Sequence, residues 1–247
     1  MSVEFAPLLI EPAYRKVAAA IGARILSRAL REGERLPPEI QLARQFGVNR
    51  STVREALREL ESRGLVRRRP GSKLMSVSRP PQEAVAQGVS QALLLHDVTV
   101  RDVWQALTML EPPLAQVAAR ARTAQDLEEL TAASQAFTGA QADTEQAVRC
   151  TAEVFRAIGR ATHNPVLVLA QEPLLQLLGP SLRVMIDKVP QARARIATAH
   201  RHLVEALRAG DADGAHGWMA RHIRDFRRGY EIAGIDLGLR LTAPARR

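Results

Sequence analysis

Residues 36–77 leave the chain few choices, because turn-forming residues interrupt them at short, fixed intervals. Leu36-Pro37-Pro38-Glu39 is a rigid lead-in to a short helix, proline being favoured at a helix start. Leu42, Ala43 and Phe46 give that helix one apolar side, and Gly47-Val48 turns the chain. Asn49 stands where its side-chain oxygen can cap the next helix. There Val53, Ala56, Leu57 and Leu60 recur at i, i+3, i+4 and i+7, a stripe that must be buried, and Gly64 ends it. Residues 65–69 and 73–77, on either side of Pro70-Gly71-Ser72, read as two short strands around a turn. Upstream, Tyr14, Ala18, Ile21 and Ile25 predict a helix over about residues 13–30, with Gly33 as its stop.

Pro80-Pro81 is a natural boundary. Beyond it the periodicity predicts helices over 83–96, 100–121, 124–140, 144–162, 165–178, 180–188, 191–209 and 211–230. The expected fold is mainly α. Residues 8–79 form a winged helix-turn-helix with a β-hairpin wing, and 80–235 form an all-α antiparallel bundle. Residues 236–247 are expected to be a frayed tail. A single cysteine rules out a disulfide framework and a Cys-rich zinc module. No apolar run is long enough for a membrane helix and no signal peptide is visible, so a cytoplasmic setting without a membrane partner is expected.

The net charge of +9 is unevenly spread. Residues 1–80 hold 16 Lys and Arg against 8 Asp and Glu, whereas 81–247 hold 19 against 18. A basic module beside a neutral one suits a polyanion-binding domain joined to a second domain. Arg50, Arg54 and Arg58 lie at i, i+4 and i+8, opposite the apolar stripe, where guanidinium groups can reach guanine edges in a major groove. Ser51 and Thr52 sit where hydroxyls and helix N-terminal amides can take a phosphate. Arg67, Arg68 and Arg69 lead into Gly71, a turn residue that lets a wing approach the duplex backbone. The plainer reading is a solvated basic face, its arginines paired with Glu55, Glu59 and Glu61.

The stretch GERLPPEIQLARQFGVNRSTVREALRELESRGLVRRRPGS resembles the DNA-binding domain of the GntR family of bacterial transcriptional regulators. The matching residues are Arg35-Leu36-Pro37, Leu42-Ala43, Val48-Asn49-Arg50 and Val53-Arg54-Glu55-Ala56-Leu57, with Asn49 replacing the usual serine. The resemblance implies that Arg50 and Arg54 read bases, while Arg35, Arg68 and Arg69 contact phosphates.

The remainder resembles the FCD effector domain of the FadR subfamily. Its landmarks are Leu110-Glu111-Pro112, Ala161-Thr162-His163-Asn164-Pro165, the segment from His200 to Leu207, and Gly210-Asp211 leading to Met219 and His222. Many members hold a divalent metal with one Asp and three His, and the metal receives a carboxylate effector. Counting back from Asn164, the Asp position falls at Thr151 and one His position at Phe155, while His200 and His222 are kept. An arginine usual in the second helix falls at Leu107. Half of the ligand set is gone, so no metal cofactor is expected, with His200 and His222 as residual candidates. Leu107, Thr151, Phe155, His200 and His222 then suit an apolar or aromatic-bearing effector better than a metal-bound carboxylate.

These features imply a homodimeric, effector-responsive regulator, most often a repressor in this family, on a palindromic double-stranded operator. The alternative is an effector-independent or non-specific architectural DNA binder. No glycine-rich phosphate loop, nucleophile elbow or HExxH motif is present, and no enzymatic role is expected.

Overall fold

The computed structural model describes residues 11–140 and 143–242. The chain divides into two compact units, Met1–Pro81 and Gln82–Arg247.

In the first unit, α1 (Ala13–Leu26), α2 (Glu39–Phe46) and α3 (Arg50–Ser62) precede an antiparallel pair, β1 (Val66–Arg68) and β2 (Met75–Val77). The core is the expected stripe: Val53, Ala56, Leu57 and Leu60 of α3 pack with Val17, Ala18 and Ile21 of α1 and with Leu36, Leu42 and Val66. Gly47 ends α2 in the left-handed region, which lets the Val48 amide close back on the Ala43 carbonyl. The first helix is shorter than its periodicity suggests. Arg28 turns left-handed and the Leu30 amide folds back to the Arg24 carbonyl, so α1 stops at Leu26, well before Gly33. The residues around Gly33 have another task. Gly33 and Leu36 donate to Val77 and Met75, and Val77 donates to Glu34. A short extended segment carrying Arg35 therefore lies beside β2.

The second unit is a bundle of α4 (Gln82–Leu95), α5 (Val100–Ala121), α6 (Ala124–Gly139), α7 (Thr144–Arg160), α8 (Pro165–Lys188), α9 (Ala192–Ala209) and α10 (Ala212–Ile232). The helix starts are built locally. Thr99 with Asp102 and Thr123 with Asp126 form capping boxes, and Asp143, Asn164 and Asp211 cap α7, α8 and α10. One expected break is absent: α8 runs unbroken through Gly179-Pro180. A proline inside a helix costs about 3 kcal/mol. Leu175, Leu178, Leu182, Met185 and Ile186 nonetheless share one buried stripe across it, and each buried aliphatic side chain recovers about 1.5–3 kcal/mol. The expectation of a frayed tail from residue 236 also needs correction as far as residue 242. Val100 and Arg101 at the start of α5 donate to Leu239 and Leu237, Leu241 donates to Val98, and Arg240 pairs with Asp97 at 3.0 Å. The tail supplies acceptors for helix amides that would otherwise lack them. Residues 243–247 lie outside the described residues.

Candidate functional site

One face of α3 is built by its own periodicity. The apolar stripe is buried, so Arg50, Ser51, Arg54 and Arg58 point outward and Thr52 is half-buried. The two arginines nearest the helix start are not held by Glu55, Glu59 or Glu61. They share Glu39, the first residue of α2. Arg50 Nε donates to Glu39 Oε2 at 2.8 Å, and Arg54 donates to Oε2 through Nη2 at 3.1 Å and to Oε1 through Nε at 3.4 Å. These bonds, Arg54's foremost, hold the Glu39 carboxyl below the usual carboxylate range. Arg50, Arg54 and Arg58 line a recess of about 370 Å³ together with Arg68 of β1, so the helix and the wing contribute to one basic surface. Arg35 is exposed beside Ser76, and Arg69 and Gly71 are exposed at the hairpin turn, where Gly71 adopts φ +75°. Asn49 corrects an expectation. It occupies the N-cap position with an extended backbone, yet its side chain makes no capping hydrogen bond. Val53 takes the Asn49 carbonyl, and among the described residues the Ser51 and Thr52 amides have no acceptor.

The second candidate group lies inside the bundle. Leu107, Thr151, Phe155, His200 and His222 are all buried, with at most 1% exposure. Phe155 stacks on His222 with ring centroids 5.5 Å apart, and Phe226 lies 4.5 Å from the same imidazole. His200 meets His222 edge-on at 5.3 Å and Phe137 at 5.0 Å. Among the described residues, both His200 nitrogens and His222 Nε2 lack a hydrogen-bond partner. Burial pushes the His222 pKa down to about 3, and His200 falls well below its usual value through burial and the adjacent His222. Both imidazoles are uncharged at neutral pH. His222 also lines a recess of about 230 Å³ between α9 and α10, with Arg195, Thr198, Trp218, Arg221 and Asp225 around it. The roomier cavity, about 500 Å³ between α4 and α8, includes neither histidine.

Residues 13–74 match the profile described as "Bacterial regulatory proteins, gntR family", and residues 102–225, half of the chain, match the FCD domain. The chain belongs to the gntR family. Among curated proteins it is 29% identical over 221 residues to the HTH-type transcriptional repressor NanR of Cronobacter sakazakii, covering 88% of this chain and 85% of that protein. It is 27% identical over 198 residues to the HTH-type transcriptional regulator LutR of Bacillus subtilis, covering 78% and 90%. The solved structure of a Streptococcus agalactiae GntR protein has the same fold, with a TM-score of 0.66 at 24% identity, over 87% of this chain and 99% of that one.

This gntR-family chain is thus a DNA-binding transcription regulator with an FCD domain, and its relatives are regulators rather than enzymes. The architectural alternative finds no support in them. The residues of its bundle do not fit the divalent metal that the resemblance implies. Thr151 Oγ1 donates to the Ala147 carbonyl at 2.9 Å within its own helix, and the Phe155 ring packs against His222. Among the described residues no three His, Cys, Asp or Glu side chains converge. Two imidazoles fall short of the three or four protein ligands that zinc requires.

Sequence reasoning missed two members of these sites. Glu39 escaped notice because helical spacing rules pair residues within one helix, while its partners lie 11 and 15 positions away on the next. Glu111 was visible only as a landmark. It is fully buried and accepts a hydrogen bond from Gln171 Nε2 at 2.9 Å, and Oε1 has no partner among the described residues. Burial raises its pKa to about 8, so it stays protonated at neutral pH. Gln171 also donates to the Phe155 carbonyl at 3.0 Å, linking α5, α7 and α8 beside the aromatic cluster.

Proposed function

We propose that the chain acts as a homodimer on a palindromic duplex, inserts α3 into the major groove, and represses transcription until a small molecule binds the FCD domain. The supporting observation is the joint basic surface of Arg50, Arg54, Arg58 and Arg68 beside the free Ser51 and Thr52 amides. Arg50 and Arg54 stand where they can read guanine, and the amides suit a phosphate. Arg35, Arg69 and Gly71 flank that surface and suit backbone contacts. A single winged module offers too little contact for tight specific binding, so two copies are needed, joined through the helical domain. The protein works in the cytoplasm and associates with the nucleoid when bound to DNA. Selection of duplexes from a randomised pool, followed by light scattering of the free and bound protein, tests this. A palindromic consensus on a dimer is expected. Enrichment of no sequence, or a monomer on DNA, would contradict it.

The effector reading follows from the uncharged histidine pair. Three unpartnered nitrogens among phenylalanine rings favour a ligand with an aromatic or apolar body and one or two hydrogen-bonding groups, not a metal-bound carboxylate. The recess reaching His222 from between α9 and α10 offers a way in. Compounds of that class should raise the melting temperature and release DNA, and His222→Leu should abolish both effects.

A further inference from the structure

We propose that Glu39 is a positioning residue for DNA recognition: its one carboxylate holds Arg50 and Arg54 in a preset arrangement and screens them from indiscriminate phosphate pairing. The inference rests on the reading of α3 given above.

The geometry is specific. Glu39 opens α2 immediately after Pro37-Pro38, a lead-in with restricted backbone freedom. Its side chain is 19% exposed, against 57% for Arg50 and 48% for Arg54, so the carboxylate sits behind the two guanidinium groups. Three hydrogen bonds join it to them, two through Nε atoms and one through Arg54 Nη2. Both terminal nitrogens of Arg50 and Nη1 of Arg54 have no partner among the described side chains. The inner edges are held and outward donors remain for a base. Glu61 lines the same recess but forms no ion pair among the described residues, so Glu39 alone holds the arginines.

Two physical consequences follow, with opposite signs. Two arginines at i, i+4 repel each other and are flexible, and a carboxylate bridging them removes both costs before DNA arrives. The same carboxylate repels phosphates, so it lowers affinity for any duplex regardless of sequence. Glu39 therefore trades general affinity for discrimination.

The test uses the full chain and two duplexes, one recovered by selection from a randomised pool and one scrambled version of the same composition. Dissociation constants are measured for wild type, Glu39→Gln, Glu39→Ala and Arg54→Ala, with thermal melts on each. For both Glu39 variants the ratio of scrambled to selected dissociation constants should fall about 5- to 20-fold. Affinity for the scrambled duplex should rise at the same time. A damaged fold would weaken both duplexes alike, and that pattern, or an unchanged ratio in Glu39→Gln, would overturn the proposal. Arg54→Ala separates the two levels. If it loses discrimination while Glu39→Gln does not, α3 reads DNA and Glu39 has no part in it. If Arg54→Ala keeps full discrimination, the reading of α3 itself fails.

Discussion

Arg50 with Arg54, and His200 with His222, are both pairs of nitrogen-bearing side chains, and their surroundings treat them in opposite ways. The arginines stand half-exposed and share a carboxylate. The histidines are sealed among phenylalanine rings, have three unpartnered nitrogens and lose their charge. At the surface, water remains an alternative partner, so a charged pair costs little and stays ready for a polyanion. In the interior every missing hydrogen bond counts, and the effector proposed above would supply what the pair lacks. In the proposed function one pair is met by DNA from outside and the other by a small molecule that enters.

The largest expected effect lies on the buried side. Phe155→Ala removes the ring packed on His222 and Phe226 and should destabilise the helical unit by about 3–5 kcal/mol, while surface Arg58→Ala should stay within about 0.5 kcal/mol. Denaturant unfolding of both variants measures the contrast, and similar losses would erase it.

Installing the two ligands that the resemblance implies sharpens it further. Thr151→Asp with Phe155→His should cost several kcal/mol without metal and recover stability with zinc, because the metal then binds only the folded state. The unmodified protein should melt at the same temperature with and without chelator. A chelator-sensitive wild type would show that His200 and His222 hold a metal after all.

The pH dependence of stability should carry both buried signatures. His222 keeps its proton off until about pH 3, whereas an unfolded histidine binds one near 6.5, so its contribution is complete above 6.5 and is lost as pH falls towards 3. Glu111 works in the other direction. Its folded pKa of about 8 lies above the ordinary 4.5, so its contribution is complete below 4.5 and is lost as pH rises to 8. Replacing Glu111 with Gln keeps a neutral amide and should flatten the alkaline limb, and His222→Leu should flatten the acid limb. Chemical denaturation from pH 3 to 8 reads both, and an unaltered alkaline limb in Glu111→Gln would reject the buried-acid account.

The helix-turn-helix and its hairpin were legible because short-range rules govern them: glycine turns, an i, i+3, i+4, i+7 stripe, and strands around Pro70-Gly71. What escaped depends on partners distant in the chain. The tail that receives the α5 amides, the segment around Arg35 beside β2, and Glu39 across from α3 are all contacts that no local pattern encodes. Helix α8 misled for a related reason, since its buried stripe outweighs two prolines. Asn49 shows the converse limit: the residue type and backbone suit a cap, yet the capping bond is not made. Counting back from Asn164 put Thr151 and Phe155 at the ligand positions that the resemblance implies, but that the histidines sit unpartnered among the described residues and uncharged came only from their packing.

The smallest free-energy effects belong to the surface pair, and they bear on the main conclusion. Binding of the selected and scrambled duplexes, titrated across salt concentrations with Arg54→Ala and Arg68→Ala, tests most directly that the α3 face reads sequence while the wing positions it. Arg54→Ala should cost about 1–3 kcal/mol on the selected duplex and relax base preference at one position per half-site. Arg68→Ala should weaken both duplexes alike and reduce the salt slope by about one. If Arg54→Ala binds the selected duplex as tightly as wild type, α3 is not the reading helix.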